Sequence, residues 1–317
     1  MSANLKEVRE RISSVINTQK TTRAMKMVSA SKLRRAQDAI VRLRPYSNKL
    51  DHIMRNILSN LDGQELDNNY TSTKDPETIL LVLITSSKGL AGAFNSNLIK
   101  TASQRVREKY ADQVAKNQLE VLAIGKKGAD YFRKNFPGIP LNTEYINLFD
   151  DLDYKNLMTV SQMLMDRFLG GQVDRIEVVY SQFKNAAVQL PQTSRFLPVR
   201  KISGIGGQSA PEEEGYRADY IFEPDQYTVL EQLIPSILHI QFQKYILDTH
   251  AAEHGARMTA MDQATENADE LLRELRISFN KARQETITNE ISEIVGGVAA
   301  LRSEEHTSEL QSHSRIS

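Results

Sequence analysis

The sequence predicts an α/β fold in which a long antiparallel coiled coil of the two terminal helices carries a central α/β domain. The first of three observations behind this is a row that starts with Leu5, Val8, Ile12, Val15, Gln19, Thr22, Lys26, Ser29 and Leu33. It continues through Ala36, Ile40, Leu43, Ser47, Leu50, Met54, Ile57 and Leu61. Its steps alternate between three and four, the spacing of a coiled-coil seam. The second is that Met258, Met261, Thr265, Ala268, Leu272, Leu275, Phe279 and Ala282 keep the same rhythm near the other end. The row then shifts phase to Ile287, Ile291, Ile294, Val298 and Leu301. The third is that the stretch between them alternates strand-like and helical patterns. Two helices far apart in sequence, each too long for an ordinary globular domain, pair most simply with each other.

Composition limits the alternatives. The 317 residues are 40% hydrophobic and 25% charged, which excludes wholesale disorder. Formal net charge is zero, but residues 1–44 hold eleven Lys/Arg against three acids, Glu7, Glu10 and Asp38. A basic rod calls for an anionic partner: acidic protein surface, lipid headgroups or nucleic acid. With no cysteine, disulfides and thiol regulation are excluded. The longest apolar run, Ile79 to Ile84, is far short of a membrane span. Met1 leads straight into heptads with neither signal peptide nor transit segment, so a reducing, cytoplasmic compartment is expected.

The first helix is read over 1–61, capped by Ser2 or Asn4, with Glu7 completing a capping box behind Asn4. Its seam turns polar from Gln19 to Ser29, while Ala24, Met25, Met27, Val28 and Ala30 place small or apolar groups on other faces. Such a helix touches more than one mate. Pro45 should bend it, and the polar stretch Asp62 to Pro76 leads out of the rod.

The central domain, 77–200, is expected to be Rossmann-like. Ile79–Ile84 reads as a strand buried on both faces. A loop Ser86–Gly92, a helix Phe94–Tyr110, a strand Leu119–Ile124 and a short helix ending at Asn135 follow. Then come a helix Tyr154–Phe168 and two strands, Arg175–Gln182 and Ala187–Phe196. The alternation argues for a mostly parallel sheet, with the last two strands as an antiparallel hairpin. Residues 201–224 form an acidic, Gly-rich connector, centred on a loop over 203–215, with a short strand Tyr220–Phe222 before a helix start at Glu223–Asp225. The second long helix spans 225–301, with a kink or late start at Pro235. Residues 302–317, polar and Ser-rich without heptads, are read as a tail outside the pattern, a sequence-assembly artefact or disordered.

Three motifs could suggest chemistry. The loop Ser86–Gly92 follows a strand and precedes a helix, the setting of phosphate-binding loops, but lacks both the Walker and the three-glycine spacing. A plain strand-to-helix turn is the better reading, and no cofactor is expected. His250-Ala251-Ala252-Glu253-His254 matches a His-x-x-Glu-His zinc pattern, yet a rod offers no enclosing cleft. Two partly exposed helix histidines are expected, and no metal. The basic run Lys32–Arg35 could grip nucleic acid, but no aromatic residues interleave to stack on bases. No acid/base pair or nucleophile constellation stands out. The chain does not read as an enzyme.

Two terminal stretches and one loop carry a family resemblance. Asn17-Thr18-Gln19-Lys20-Thr21-Thr22-Arg23-Ala24-Met25-Lys26-Met27-Val28-Ser29-Ala30-Ser31-Lys32-Leu33-Arg34 resembles the N-terminal signature of the gamma subunit of F-type ATP synthases. Ala256–Met261 and Asn280–Ile291 resemble its C-terminal signature, and Thr85–Asn95 its central loop. The likeness covers about residues 3–301. Ala91 stands where the family often has cysteine, and the cysteine-bearing chloroplast insertion is missing, so a bacterial member without thiol control is implied.

The resemblance implies a rotor. In that family the paired helices sit inside a ring of alternating alpha and beta subunits. The α/β domain joins them to a membrane c-ring and to epsilon, and rotation driven by proton flow couples to ATP synthesis or hydrolysis in the hexamer. Catalysis belongs to alpha and beta. The place implied is the cytoplasmic face of the bacterial inner membrane, as a peripheral subunit. By matching position, Met25, Arg257, Gln284 and Thr288 are the candidate contacts with beta, and Lys20, Arg23 and Arg283 lend electrostatic support. A C-terminal helix of about 75 residues would run roughly 110 Å, and a two-stranded coil resists twisting better than one helix. Met25, Met27, Met258 and Met261 suit a surface that repacks against several partners; ordinary seam filling is the equal alternative. The reading from another class is a coiled-coil nucleic-acid-binding protein using its basic N-terminal helix.

Overall fold

The computed structural model describes residues 5–60, 70, 75–199 and 226–313. The Ser2/Asn4 cap, most of the stretch Asp62–Pro76, the 203–215 loop, the Tyr220–Phe222 strand and the Glu223–Asp225 helix start lie outside them. Two long helices dominate, α1 (Leu5–Asn60) and α6 (Gln226–His313). Every described residue of the expected α1 seam with a described side chain is buried or half-buried, and so is the row Met258 to Ala282. The chain divides into two compact units, Met1–Ala24 with Asp262–Ser317, and Met25–Met261.

Within the first unit the helices are antiparallel and in register. The Arg9 guanidinium lies 5.7 Å from the centre of the Phe279 ring. The Gln19 amide donates to the Asp269 carboxylate, and the buried Thr22 and Thr265 hydroxyls share a hydrogen bond of 2.8 Å. Position 9 thus faces 279, 19 faces 269 and 22 faces 265. By that register Leu5 stands opposite residue 282 or 283.

The second unit is built on a five-stranded sheet ordered β3-β2-β1-β4-β5. Its strands are β1 (Ile79–Ile84), β2 (Leu119–Ile124), β3 (Leu141–Asn142), β4 (Arg175–Phe183) and β5 (Gln189–Leu197). All pairings are parallel except β4 with β5. β1 lies at the centre, and all six of its residues are buried, as its continuous apolar run requires. Between β4 and β5 the Asn185 side chain accepts from the Ala187 and Val188 amides, closing the turn.

Helices cover both faces. One core sets Leu80, Val82, Ile176 and Val178 against α5 (Tyr154–Leu169) and against Leu238, Phe242 and Ile246 of α6. The other sets Ile79, Leu81, Leu83 and Val179 against α2 (Phe94–Gln104), Tyr110, and Phe132 of α4 (Lys126–Asn135), with Ala252 and Ala256 of α6. From Leu238 to Arg257, α6 is buried on nearly all sides, the mark of a helix within a core rather than of a two-stranded seam.

Four features differ from the sequence expectations. The helix expected over Phe94–Tyr110 stops at Gln104, passes through a π turn (Arg105–Lys109) and resumes as the short α3 (Ala111–Ala115). The π turn ends on Tyr110, whose φ of −118° leaves the helical well. β3 is too short for any periodicity to announce. Pro235 neither delays α6 nor ends it; the helix starts at Gln226, and Pro45 likewise lies inside α1. Residues 302–313 continue α6, because a polar run free of Pro and Gly can propagate a helix already nucleated.

Candidate functional site

In the first unit Lys20 and Arg23 are exposed on α1, and Arg283, Gln284 and Thr288 are exposed on α6. The Thr288 hydroxyl donates back to the Gln284 carbonyl at 2.9 Å, leaving the methyl and the Gln284 amide free to meet a partner. Beside them runs an apolar stripe. Ile287, Ile291, Ile294 and Val298 are 47%, 55%, 65% and 60% exposed, with Val295 at 61%. The sequence shows the stripe as a phase shift of the seam; the register explains its exposure, since Leu5 already stands opposite 282 or 283. Among the described residues, no part of α1 reaches it.

In the second unit Met25 is half-buried on α1. Arg257 differs from the other six candidates, because it is 7% exposed and fully engaged inside the chain. Its Nη2 pairs with Glu253 Oε1 at 2.7 Å. The same nitrogen donates to the Lys88 and Gly89 carbonyls at 3.3 Å, and Nε reaches Gly89 O at 3.4 Å. Its Nη1 lies 3.3 Å from His254 Nδ1. Glu253 one helical turn before Arg257 is the sequence signal for this pair, but spacing alone does not tell a buried pair from one on a rod surface. Burial pulls the Glu253 carboxyl above its usual range, and the Arg257 charge opposes that shift.

The loop that Arg257 grips is itself rigidly made. Asn95 Oδ1 accepts from the Ser86 amide at 3.0 Å, Asn95 Nδ2 donates to Ser86 Oγ at 2.8 Å, and the Ser86 hydroxyl donates to Lys88 O at 2.6 Å. The loop therefore turns carbonyls toward an arginine, whereas a phosphate site needs free amides. The adjoining β2–α4 turn passes so close that a Cβ on Gly125, at φ +96°, would stand 2.0 Å from Thr85 O. Only glycine fits there.

The expectation of two partly exposed helix histidines holds for His250 and fails for His254. His254 is buried, His250 half-buried, and their Nε2 atoms lie 3.1 Å apart. The His250 ring stacks on Phe149, centroids 5.8 Å apart. Burial, with help from Lys32 and Arg257, pushes His250 down to about 4. Burial, then His250, Arg257 and Lys32, pushes His254 down to about 3. Both rings are neutral at pH 7. Among the described residues there is no group of three or more His, Asp or Glu placed to hold a metal ion. Nor is any described helix long and apolar enough to cross a membrane.

Comparison with known proteins gives a consistent answer. A family model described as ATP synthase matches residues 4–301. The ATP synthase gamma chain of Cytophaga hutchinsonii is 47% identical over 300 residues, covering 94% of this chain and 99% of that one. The ATP synthase gamma chain of Flavobacterium psychrophilum is 48% identical, covering 95% and 99%. Among solved structures, a chain of the Euglena gracilis mitochondrial ATP synthase F1/c-ring assembly superimposes with a TM-score of 0.62 at 20% identity, covering 95% of both chains. A chain from the Tetrahymena thermophila central stalk and c-ring gives 0.54 at 21%, covering 77% of this chain and 99% of that one. These structural likenesses speak to the fold. None of the comparisons supports a nucleic-acid role for the basic helix.

Proposed function

Because the chain belongs to the ATP synthase gamma-chain family, the non-catalytic rotor of the central stalk, we propose that its first unit turns inside the hexamer of alpha and beta subunits. The observation that carries this is the uncovered stripe Ile287, Ile291, Ile294 and Val298, which starts where the register with α1 runs out. An apolar helix face of this kind needs a surrounding surface to cover it, and a ring of subunits supplies one. The exposed Lys20, Arg23 and Arg283 add cations that acidic beta-subunit surfaces can meet and release at successive positions, since charge contacts tolerate changing geometry. Met25, Gln284 and Thr288 complete the beta contact. Arg257 serves it from within, by holding the Lys88–Gly89 turn.

The Rossmann-like domain of the second unit takes the epsilon subunit and the membrane c-ring, so that ion flow, by this reading of protons, drives ATP synthesis. The complex places the chain on the cytoplasmic face of the bacterial inner membrane, as a peripheral subunit.

The test is reconstitution with alpha and beta subunits of a related bacterium, following ATP hydrolysis and rotation of a probe fixed to the sheet domain. The unaltered chain should enter the hexamer and turn. The variant Ile287→Asn/Ile291→Asn/Ile294→Asn should assemble at least tenfold more weakly, each lost apolar contact costing about 1–2 kcal/mol. A triple variant that assembles and turns normally would remove the stripe from the interface.

A further inference from the structure

Arginine can only donate hydrogen bonds. Arg257 Nη1 lies 3.3 Å from His254 Nδ1, so that ring nitrogen must accept and carry no hydrogen. The neutral His254 ring then holds its hydrogen on Nε2, which faces His250 Nε2 at 3.1 Å. That atom must accept in turn, leaving the His250 hydrogen on Nδ1. The order Arg257 to His254 to His250 is thus forced by three donor and acceptor identities. Stacking on Phe149 holds the last ring in plane.

We propose that His254 and His250 are positioning residues of the rotor, a one-way hydrogen-bonded relay that aims the Arg257 guanidinium at the Lys88 and Gly89 carbonyls. The relay fixes Nη1, while Glu253 and the two carbonyls fix Nη2 and Nε. Without a partner for Nη1 the guanidinium can rotate about its stem, and the grip of α6 on the β1–α2 turn loosens. That turn leads directly into α2, which packs on the sheet, so the grip is one path by which α6 and the sheet move together. The functional part of the proposal rests on the rotor reading; the relay itself does not.

The cations acting on the pair favour the neutral, ordered form. Lys32 approaches from α1, and Arg257 lies on α6 itself. Glu253, on the same helix, is occupied by Arg257, with Lys32 and Lys88 also close to it. A proton added to either ring would set two donors against each other at the 3.1 Å contact, or a donor against Arg257.

Three measurements on the full chain and the full complex decide the matter. Nitrogen-15 shifts of the imidazoles in the unaltered chain should show His254 protonated on Nε2 and His250 on Nδ1; the opposite tautomers overturn the relay. In His254→Leu, amides 86–92 should exchange about tenfold faster, the effect of losing a hydrogen bond to a charged group. Membrane vesicles carrying that complex should take up fewer ions per ATP hydrolysed. His254→Gln offers an accepting oxygen to Arg257 and a donating nitrogen to His250, and should restore both readouts to within about threefold of the unaltered protein. If His254→Gln behaves like His254→Leu, ring packing alone matters and the proposal fails. It fails also if the loop loosens in His254→Leu while the ion-to-ATP ratio holds. Vesicles of the unaltered complex that take up no ions would instead sink the rotor reading, leaving the tautomers and the exchange rates to judge the relay.

Discussion

At the scale of single residues, the buried charges are the sensitive points. Glu177 on β4 is 4% exposed, and its carboxylate meets Lys109 Nζ at 2.6 Å. Burial pulls its pKa up, but the hydrogen bond from Lys109, with the Lys109 and Arg105 charges, brings it below the usual range. A depressed carboxylate stabilises the fold above its unfolded pKa and loses that contribution as pH falls through the folded value. Lys109→Met should therefore cost about 2 kcal/mol near pH 7, less than a fully buried pair because Lys109 is 36% exposed on its side chain. Chemical denaturation at pH 7 and pH 4 checks this, and the difference between variant and parent should shrink at the lower pH.

The histidine pair gives a second pH signature of the same sign. Both pKa values lie below that of free imidazole, so between about 6.5 and 4 the unfolded chain binds protons that the folded chain refuses. Stability should fall there by roughly 1 kcal/mol per pH unit for each ring. Replacing His254 by Gln should flatten that slope by about half, measurable as urea midpoints at pH 6.5, 5.5 and 4.5. A slope identical in parent and variant would mean that His254 titrates normally.

At the scale of elements, what could be read from sequence was whatever repeats. The seams of α1 and α6 were legible because a 3–4 rhythm is sustained over many turns. β1 was legible because six apolar residues in a row fit a strand buried on both sides. The π turn was not, since no periodicity marks Arg105–Lys109, and β3 offers only two residues. Nor was the inward role of Arg257: its neighbours in sequence lie along one helix, whereas Lys88 and Gly89 arrive from more than 160 positions away. The site candidates on α6 beyond residue 282 came from the family resemblance alone; the phase shift marks the apolar row beside them, and only the register says why that row is bare. Phe242 is the element-scale test of the second unit. It is fully buried and edge-on to Phe196 with centroids 6.1 Å apart, joining α6 to β5. Phe242→Ala should cost about 3–5 kcal/mol and lower the thermal midpoint, while leaving the first unit's helical signal at 222 nm largely in place.

For the molecule as a whole, the family pattern ends at residue 301 although α6 runs on to His313. A chain cut after Leu301 should assemble with alpha and beta at least as well as the full chain, judged by co-purification and by rotation rate. Better assembly of the short form would mark 302–317 as foreign to the rotor, and loss of assembly would show the extension to be part of it. Zero net charge conceals the strong asymmetry of the first 44 residues. If Lys20 and Arg23 make the proposed beta contact, salt should weaken partner binding through them, with little effect on the apolar stripe.

The stripe from Ile287 to Val298 has a consequence for the cell that makes this chain. A polypeptide wearing such a surface in water is a client for chaperones and a target for proteases until its partners enclose it. Copies made in excess would stick to one another through the same row of isoleucines. If partner subunits cover the stripe as proposed, the lifetime of this chain alone should be far shorter than its lifetime in company.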